Sequence, residues 1–173
     1  MIANRVNNIK PSFTLEMATK AAEMRSEGID VINFSVGEPD FNTPKHICDA
    51  AKNAIDNGYT KYTAGPGMIE ARQAICKKLE RDNGLYYNPD NVLISNGEKQ
   101  SLFTACQALF NPGDRVIVFT PYWVSFPEFV RMADAEPVLI NTLANNNYEP
   151  DFDALNKKNK KNIKGVIINS PSN

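Results

Sequence analysis

Three segments carry residue types that could do chemistry at places where the chain turns. In Ile94-Ser-Asn-Gly-Glu-Lys-Gln-Ser101 an apolar run passes abruptly through Gly97 into helix-forming sequence. The first turn of a helix presents backbone N–H groups with no partner inside the helix, and these converge with the helix dipole on an anion such as a phosphate. The segment fits neither of the common glycine-rich phosphate loops, so an ordinary strand-to-helix turn also accounts for it. Thr120-Pro-Tyr-Trp-Val-Ser-Phe-Pro127 follows a second apolar run and holds the only tryptophan. An indole at the end of a strand can stack on a flat aromatic ligand, although packing in the core would also suit it. Asn169-Ser-Pro-Ser-Asn173 follows a third apolar run and, by itself, is a turn.

The elements that must position these loops alternate. Val92–Ser95, Val116–Phe119, Val138–Ile140 and Val166–Ile168 are short continuous apolar runs that predict strands. Helices are expected between them, over Gln100–Phe110 and roughly Trp123–Ala133. Such alternation implies an α/β fold with a largely parallel sheet covered by helices on both faces, and ligands of such sheets sit beyond the carboxyl ends of the strands. The candidate loops fall at those ends.

Upstream, an extended arm is expected over Asn7–Phe13. A helix follows over about Thr14–Glu27, with Leu15, Ala18 and Ala22 on one face and Gly28 as its stop. Asp30–Phe34 predicts a short strand, and Thr43-Pro44 a helix start in which threonine caps and proline takes the first helical position. Another helix, from about Met68 to Arg81, places Arg72, Ile75, Cys76 and Leu79 at helical spacing and stops at Asn83-Gly84.

Composition narrows the classes of partner. The 19 basic and 20 acidic residues leave a net charge of -1, so no overall field draws the chain to nucleic acid or an anionic membrane. No segment approaches the roughly 18 apolar residues of a membrane span, and the first residues lack the apolar stretch of a secretory signal. Cys48, Cys76 and Cys106 form no C-x-x-C pair and are expected to be buried thiols in a reducing cytoplasm. His46 is the only histidine, which excludes a multi-histidine metal site. The polar tract from Asn156 to Lys164 is a solvated helix end and loop.

Taken together, Gly37-Glu-Pro-Asp-Phe41, Lys61-Tyr-Thr63, Gly67 with Glu70 and Arg72, Gly97-Glu-Lys-Gln100, Pro121-Tyr-Trp-Val-Ser125 and Asn169–Asn173 resemble, in order and spacing, the class I pyridoxal-phosphate-dependent aminotransferases. The Pro-Tyr-Trp-Val-Ser loop is most similar to the aspartate aminotransferase branch. The resemblance covers the N-terminal portion of such enzymes and implies the first part of the fold-type I transferase fold, incomplete in this chain. It implies an N-terminal arm and small-domain helix over residues 1–36, then the start of the large cofactor-binding domain over 37–173.

For the site, the resemblance assigns the backbone of Gly97, Glu98 and Lys99 to the phosphate of pyridoxal 5'-phosphate and Trp123 to its pyridine ring. Asn173 corresponds to the asparagine on the cofactor's phenolic oxygen, Gly37 to a backbone contact with the substrate carboxylate, and Tyr62 to the tyrosine that reaches the phosphate in the neighbouring subunit of a homodimer. Trp123 and Asn173 also face substrate in that scheme. Related sequences usually have a small residue where this one has Glu98. No residue matches the Schiff-base lysine, which lies beyond position 173, so this chain by itself is expected to be inactive.

The activity implied for the parent protein is transfer of an amino group between an L-amino acid, aspartate first, and a 2-oxo acid such as 2-oxoglutarate. Aromatic, kynurenine and prephenate-linked aminotransferases share these motifs, as do lyases or synthases on the same cofactor fold. Non-catalytic regulators with an aminotransferase-like domain remain a further class.

Overall fold

The computed structural model describes residues 2–35, 37–157 and 161–172. The chain divides into two compact units, one formed by residues 1–35 with 97–173 and the other by 36–96.

The first unit is built on three strands, β1 (Arg115–Thr120), β2 (Glu136–Asn141) and β3 (Ile163–Ile167), all parallel and in the order β2-β1-β3. Parallel strands need crossovers, and the helices that supply them are α6 (Ser125–Met132) between β1 and β2 and α7 (Phe152–Lys157) between β2 and β3. Helix α5 (Gly97–Leu109) precedes β1. Because side chains alternate along a strand, β1 feeds two cores. Val118 packs with Cys106 of α5 and Phe126 and Phe129 of α6, joined by Leu139 and Ile167 from the same row of the sheet. Ile117 faces the other way, with Val138, Ile140 and Leu155 of α7. Helices therefore cover both faces, as alternating apolar runs and helices imply.

The arm carries no regular secondary structure over residues 9–12, in keeping with the extended segment expected, although Asn7 and Phe13 at its bounds belong to helices. A four-residue helix, α1 (Asn4–Asn7), opens it and lies against α6. Arg5 faces Asp134 at 3.6 Å, and the Lys10 N–H donates to Glu128 Oε2 at 3.4 Å. Helix α2 (Phe13–Ser26) ends where Gly28, at φ +83°, lets the Ile29 N–H reach back to the Met24 carbonyl. Its buried residue is Ala21, with Thr14, Met17, Ala18 and Met24 half-buried, whereas Leu15 and Ala22 are exposed. Apolar residues occur on more than one side of this helix, so periodicity alone selected the wrong face.

The second unit contains α3 (Lys45–Asp56), α4 (Ile69–Asn83) and a 3-10 turn at Pro89–Asn91. The N-cap of α3 is Pro44 rather than Thr43, and no side chain caps it. The Pro44 carbonyl instead accepts from the N–H groups of Ile47 and Cys48. His46 lies exposed in the first turn of α3.

Two expected strands are not strands. Asp30–Phe34 and Val92–Ser95 pair with no other strand among the described residues, and Ile32, Phe34 and Leu93 are largely exposed. Apolar, β-prone sequence makes a strand only when another backbone takes up its hydrogen bonds. The Ile94 N–H finds a loop carbonyl, that of Pro66, and no ladder. Of the three thiols, Cys106 is buried, and Cys48 and Cys76 are half-buried. Among the described residues, no helix is long and apolar enough to cross a membrane.

Candidate functional site

Helix α5 begins at Gly97, whose φ of +78° belongs to the left-handed region that favours glycine. Apart from its chain neighbours and the backbone of its own helix, no atom lies within 4 Å of where a Cβ on Gly97 would stand, so the space over the helix start is open. Gly97, Glu98 and Lys99 are all exposed, and their N–H groups belong to the turn that an α-helix leaves without internal partners. Glu98 is the only acid in that turn, a position the helix dipole favours.

Trp123 lies between β1 and α6, half-buried, in a loop that follows the cis Thr120–Pro121 bond. Its carbonyl accepts from the Phe126 N–H at 3.0 Å. Two edge-to-face contacts hold the indole: Phe126 at 5.5 Å between centroids and 84° between planes, and Phe129 at 6.1 Å and 64°. The Lys99 ammonium lies over the ring, 5.1 Å from its centroid. The structure thus brings together the two sequence segments expected to bind one ligand, joined by a cation–π contact that no spacing in the sequence announces.

Beyond the carboxyl ends of the three strands is a pocket of about 560 Å³, lined among others by Thr120, Tyr122, Phe126, Thr142, Asn169 and Ser170. Its floor is tied across β1 and β2. The Thr142 hydroxyl donates to the Thr120 carbonyl, the Thr142 N–H donates to Thr120 Oγ1 at 3.3 Å, and that hydroxyl lies 3.4 Å from Asn141 Oδ1. Thr120 and Tyr122 belong to the loop singled out from the sequence, whereas Thr142 was not named; its position at the end of a strand was the available signal. Asn173 lies outside the described residues.

Gly37 and Tyr62 belong to the other unit. Gly37 is exposed, with open space where a Cβ would stand, and Tyr62 is fully exposed. A pocket of about 640 Å³ in this unit is lined by Tyr59, Lys61, Tyr62, Thr63 and Arg72, among others. Arg72 is buried, and its place on the apolar face of α4 with Ile75, Cys76 and Leu79 was the sequence signal that it would be. Among the described residues, no group of three His, Cys, Asp or Glu side chains could hold a metal ion.

Residues 29–173 match the family described as Aminotransferase class I and II. The chain belongs to this family. It is 46% identical over 173 residues to an aspartate aminotransferase of Bacillus sp. (strain YM-2), covering 100% of this chain and 44% of that protein. It is 41% identical to the aspartate/prephenate aminotransferase of Thermus thermophilus, covering 99% of this chain and 45% of the relative. Among solved structures, aspartate aminotransferase from Thermus thermophilus with maleate aligns with a TM-score of 0.94 at 40% identity, over 100% of this chain and 45% of that one. An alanine aminotransferase from Pyrococcus furiosus aligns at 0.90 with 28% identity, over 99% of this chain and 45% of its own. The chain therefore spans less than half the length of these relatives. The sheet and its helices are an incomplete portion of the fold-type I transferase fold, and enzymes of this family depend on pyridoxal phosphate.

The residues present fit that cofactor. An open helix start with a left-handed glycine suits a phosphate, and a cation beside it suits the same charge. A braced indole suits a flat ring. One adjustment follows from the geometry: the ring face under the Lys99 ammonium is available for stacking only when that side chain swings aside.

Proposed function

We propose that the protein to which this chain belongs is an aminotransferase acting on aspartate and a 2-oxo acid, with 2-oxoglutarate as the usual acceptor. The observation that carries the reading is the convergence of the α5 N-terminus, Lys99 and Trp123, in a chain 46% identical to an aspartate aminotransferase.

Bound pyridoxal phosphate supplies an electron sink for the substrate's α-carbon. The chain's own residues hold and orient. The N–H groups of Gly97, Glu98 and Lys99 take the phosphate, with the Glu98 carboxylate turned to solvent. Trp123, which Phe126 and Phe129 keep from tilting, supports the ring. Asn173 takes the phenolic oxygen, and Gly37 the substrate carboxylate through its backbone. Tyr62 contacts the phosphate held by a second copy, so the working unit is a homodimer. Residues 1–36 supply the arm and small-domain helix, residues 37–173 the start of the large domain, and the reaction takes place in the cytoplasm.

A second reading comes from the relatives named aspartate/prephenate aminotransferase, in which prephenate replaces 2-oxoglutarate as acceptor. The full-length protein, purified with pyridoxal phosphate, separates the two when supplied with aspartate and either acceptor. Oxaloacetate formed with 2-oxoglutarate supports the first reading, and oxaloacetate formed only with prephenate supports the second. Release of sulfide or a ring-closed product from suitable amino acids, without transfer, overturns both.

A further inference from the structure

Arg72 is the one buried charged residue among those described. A guanidinium out of water needs its donors satisfied, and this one is satisfied only in part. Nη1 donates to the Pro89 carbonyl at 2.9 Å, whereas Nε is buried without a partner. Asp90 Oδ1 is 3.5 Å away, but that side chain is 87% exposed, where a carboxylate compensates little. The cation is therefore held for what it grips rather than for its own comfort.

What it grips is stiff. Asn88 Oδ1 accepts from the Asp90 N–H at 3.0 Å, and Asn91 Oδ1 accepts from the Asn88 N–H at 3.2 Å. This reciprocal pair fixes the 3-10 turn whose Pro89 carbonyl Arg72 holds. The turn aims the chain toward Ile94. There the N–H donates to the Pro66 carbonyl at 3.0 Å, and the side chain fills the space over Gly67, 3.0 Å from where a Cβ would stand. Gly67 is at φ +100°, so glycine is needed for its backbone and for Ile94 alike. Pro66 and Gly67 form the far root of the loop that carries Tyr62; the near root is Gly58, where the Tyr59 N–H bonds back to Ala54 in α3. Arg72 and Tyr62 line the same pocket.

We propose that Arg72 is a positioning residue for Tyr62, acting through the Pro89 turn, Ile94 and the Pro66–Gly67 root to fix the loop from which the exposed phenol reaches a cofactor phosphate. The inference rests on the proposed role of Tyr62. A double-mutant cycle on the full-length apo protein tests it, with the dissociation constant for pyridoxal phosphate as one readout and hydrogen exchange at the Ile94 amide as another. Tyr62→Phe weakens binding by about tenfold, and Arg72→Met weakens it several-fold alone but less than about twofold in the Tyr62→Phe background. Arg72→Lys recovers part of the loss. In Arg72→Met, exchange at Ile94 accelerates while amides in the middle of α4 keep their rates. Where Arg72→Met does not fold, Gly67→Ala acts at the other end of the same chain of contacts and replaces it in the cycle. Equal losses in both backgrounds, or uniform acceleration through α4, overturn the role of Arg72 and leave that of Tyr62 standing. No loss in Tyr62→Phe alone overturns both.

Discussion

The Lys99 ammonium lies 5.1 Å from the centroid of the Trp123 ring, so a helix start and a strand-end loop meet at one point of the fold. Trp123→Phe should keep partial activity in the full-length enzyme, because a smaller ring still stacks. Trp123→Ala should cost tenfold or more in cofactor affinity or turnover, and it also removes the partner of two edge-to-face contacts, each worth about 0.5–1.5 kcal/mol. Cofactor titration with steady-state kinetics checks both variants. Normal affinity and turnover in Trp123→Ala would remove the stacking role.

A site shared between subunits should show complementation. Tyr62→Phe and a variant lacking the Schiff-base lysine, each impaired alone, should regain activity when mixed under conditions of subunit exchange. Hybrid dimers would then contain one site with both residues intact. No recovery after exchange is verified by mass spectrometry would place Tyr62 within its own subunit's site, or outside any.

The 173-residue chain alone should not attach pyridoxal phosphate at a single lysine. A lysine becomes a good nucleophile near neutral pH when its charged form is disfavoured by burial or by nearby cations. Every lysine whose side chain is described here is exposed. Incubation with the cofactor, borohydride reduction and peptide mapping should give scattered substoichiometric labelling. Full labelling of one residue, with turnover of aspartate, is the contrary result.

Burial pushes the Cys106 thiol above its ordinary value of 9.0. In the full-length protein Cys106 should react with iodoacetamide more slowly than the half-buried Cys48 and Cys76. The unfolded chain releases this proton at lower pH than the folded one, so the folded state binds more protons in the alkaline range. The contribution to stability is complete below pH 9 and falls as pH rises through the folded value. Cys106→Ala should flatten that alkaline decline in denaturation experiments, beyond its own cavity cost. An unchanged decline would assign it to other groups.

Much of the first unit was legible because its elements are defined by local pattern. The apolar runs of β1, β2 and β3 and the helices α5 and α6 come out within a few residues of the expected bounds. Asp30–Phe34 and Val92–Ser95 failed for a physical reason: their residues favour strands, but a strand also needs another backbone beside it. The site was legible in pieces. Gly97 and Trp123 stood out by residue type and position, whereas the contact between Lys99 and Trp123 depends on how α5 packs beside the loop after β1. Arg72 stood in plain view on an apolar helix face, yet its grip on Pro89, 17 residues on, depends on how the chain folds back after α4, which periodicity does not describe.

The strand order β2-β1-β3 has a consequence for how such a protein can change. The connection leaving β1 through α6 goes to one side of the central strand, the one leaving β2 through α7 crosses to the other, and residues that follow β1 and β3 line a common hollow. Pro121, Tyr122, Ile168, Asn169, Ser170 and Ser172 line that hollow, and of these only Tyr122 also packs against the core that holds the sheet to its helices. Selection can therefore change most of the side chains that face such a hollow while the strands beneath stay unaltered.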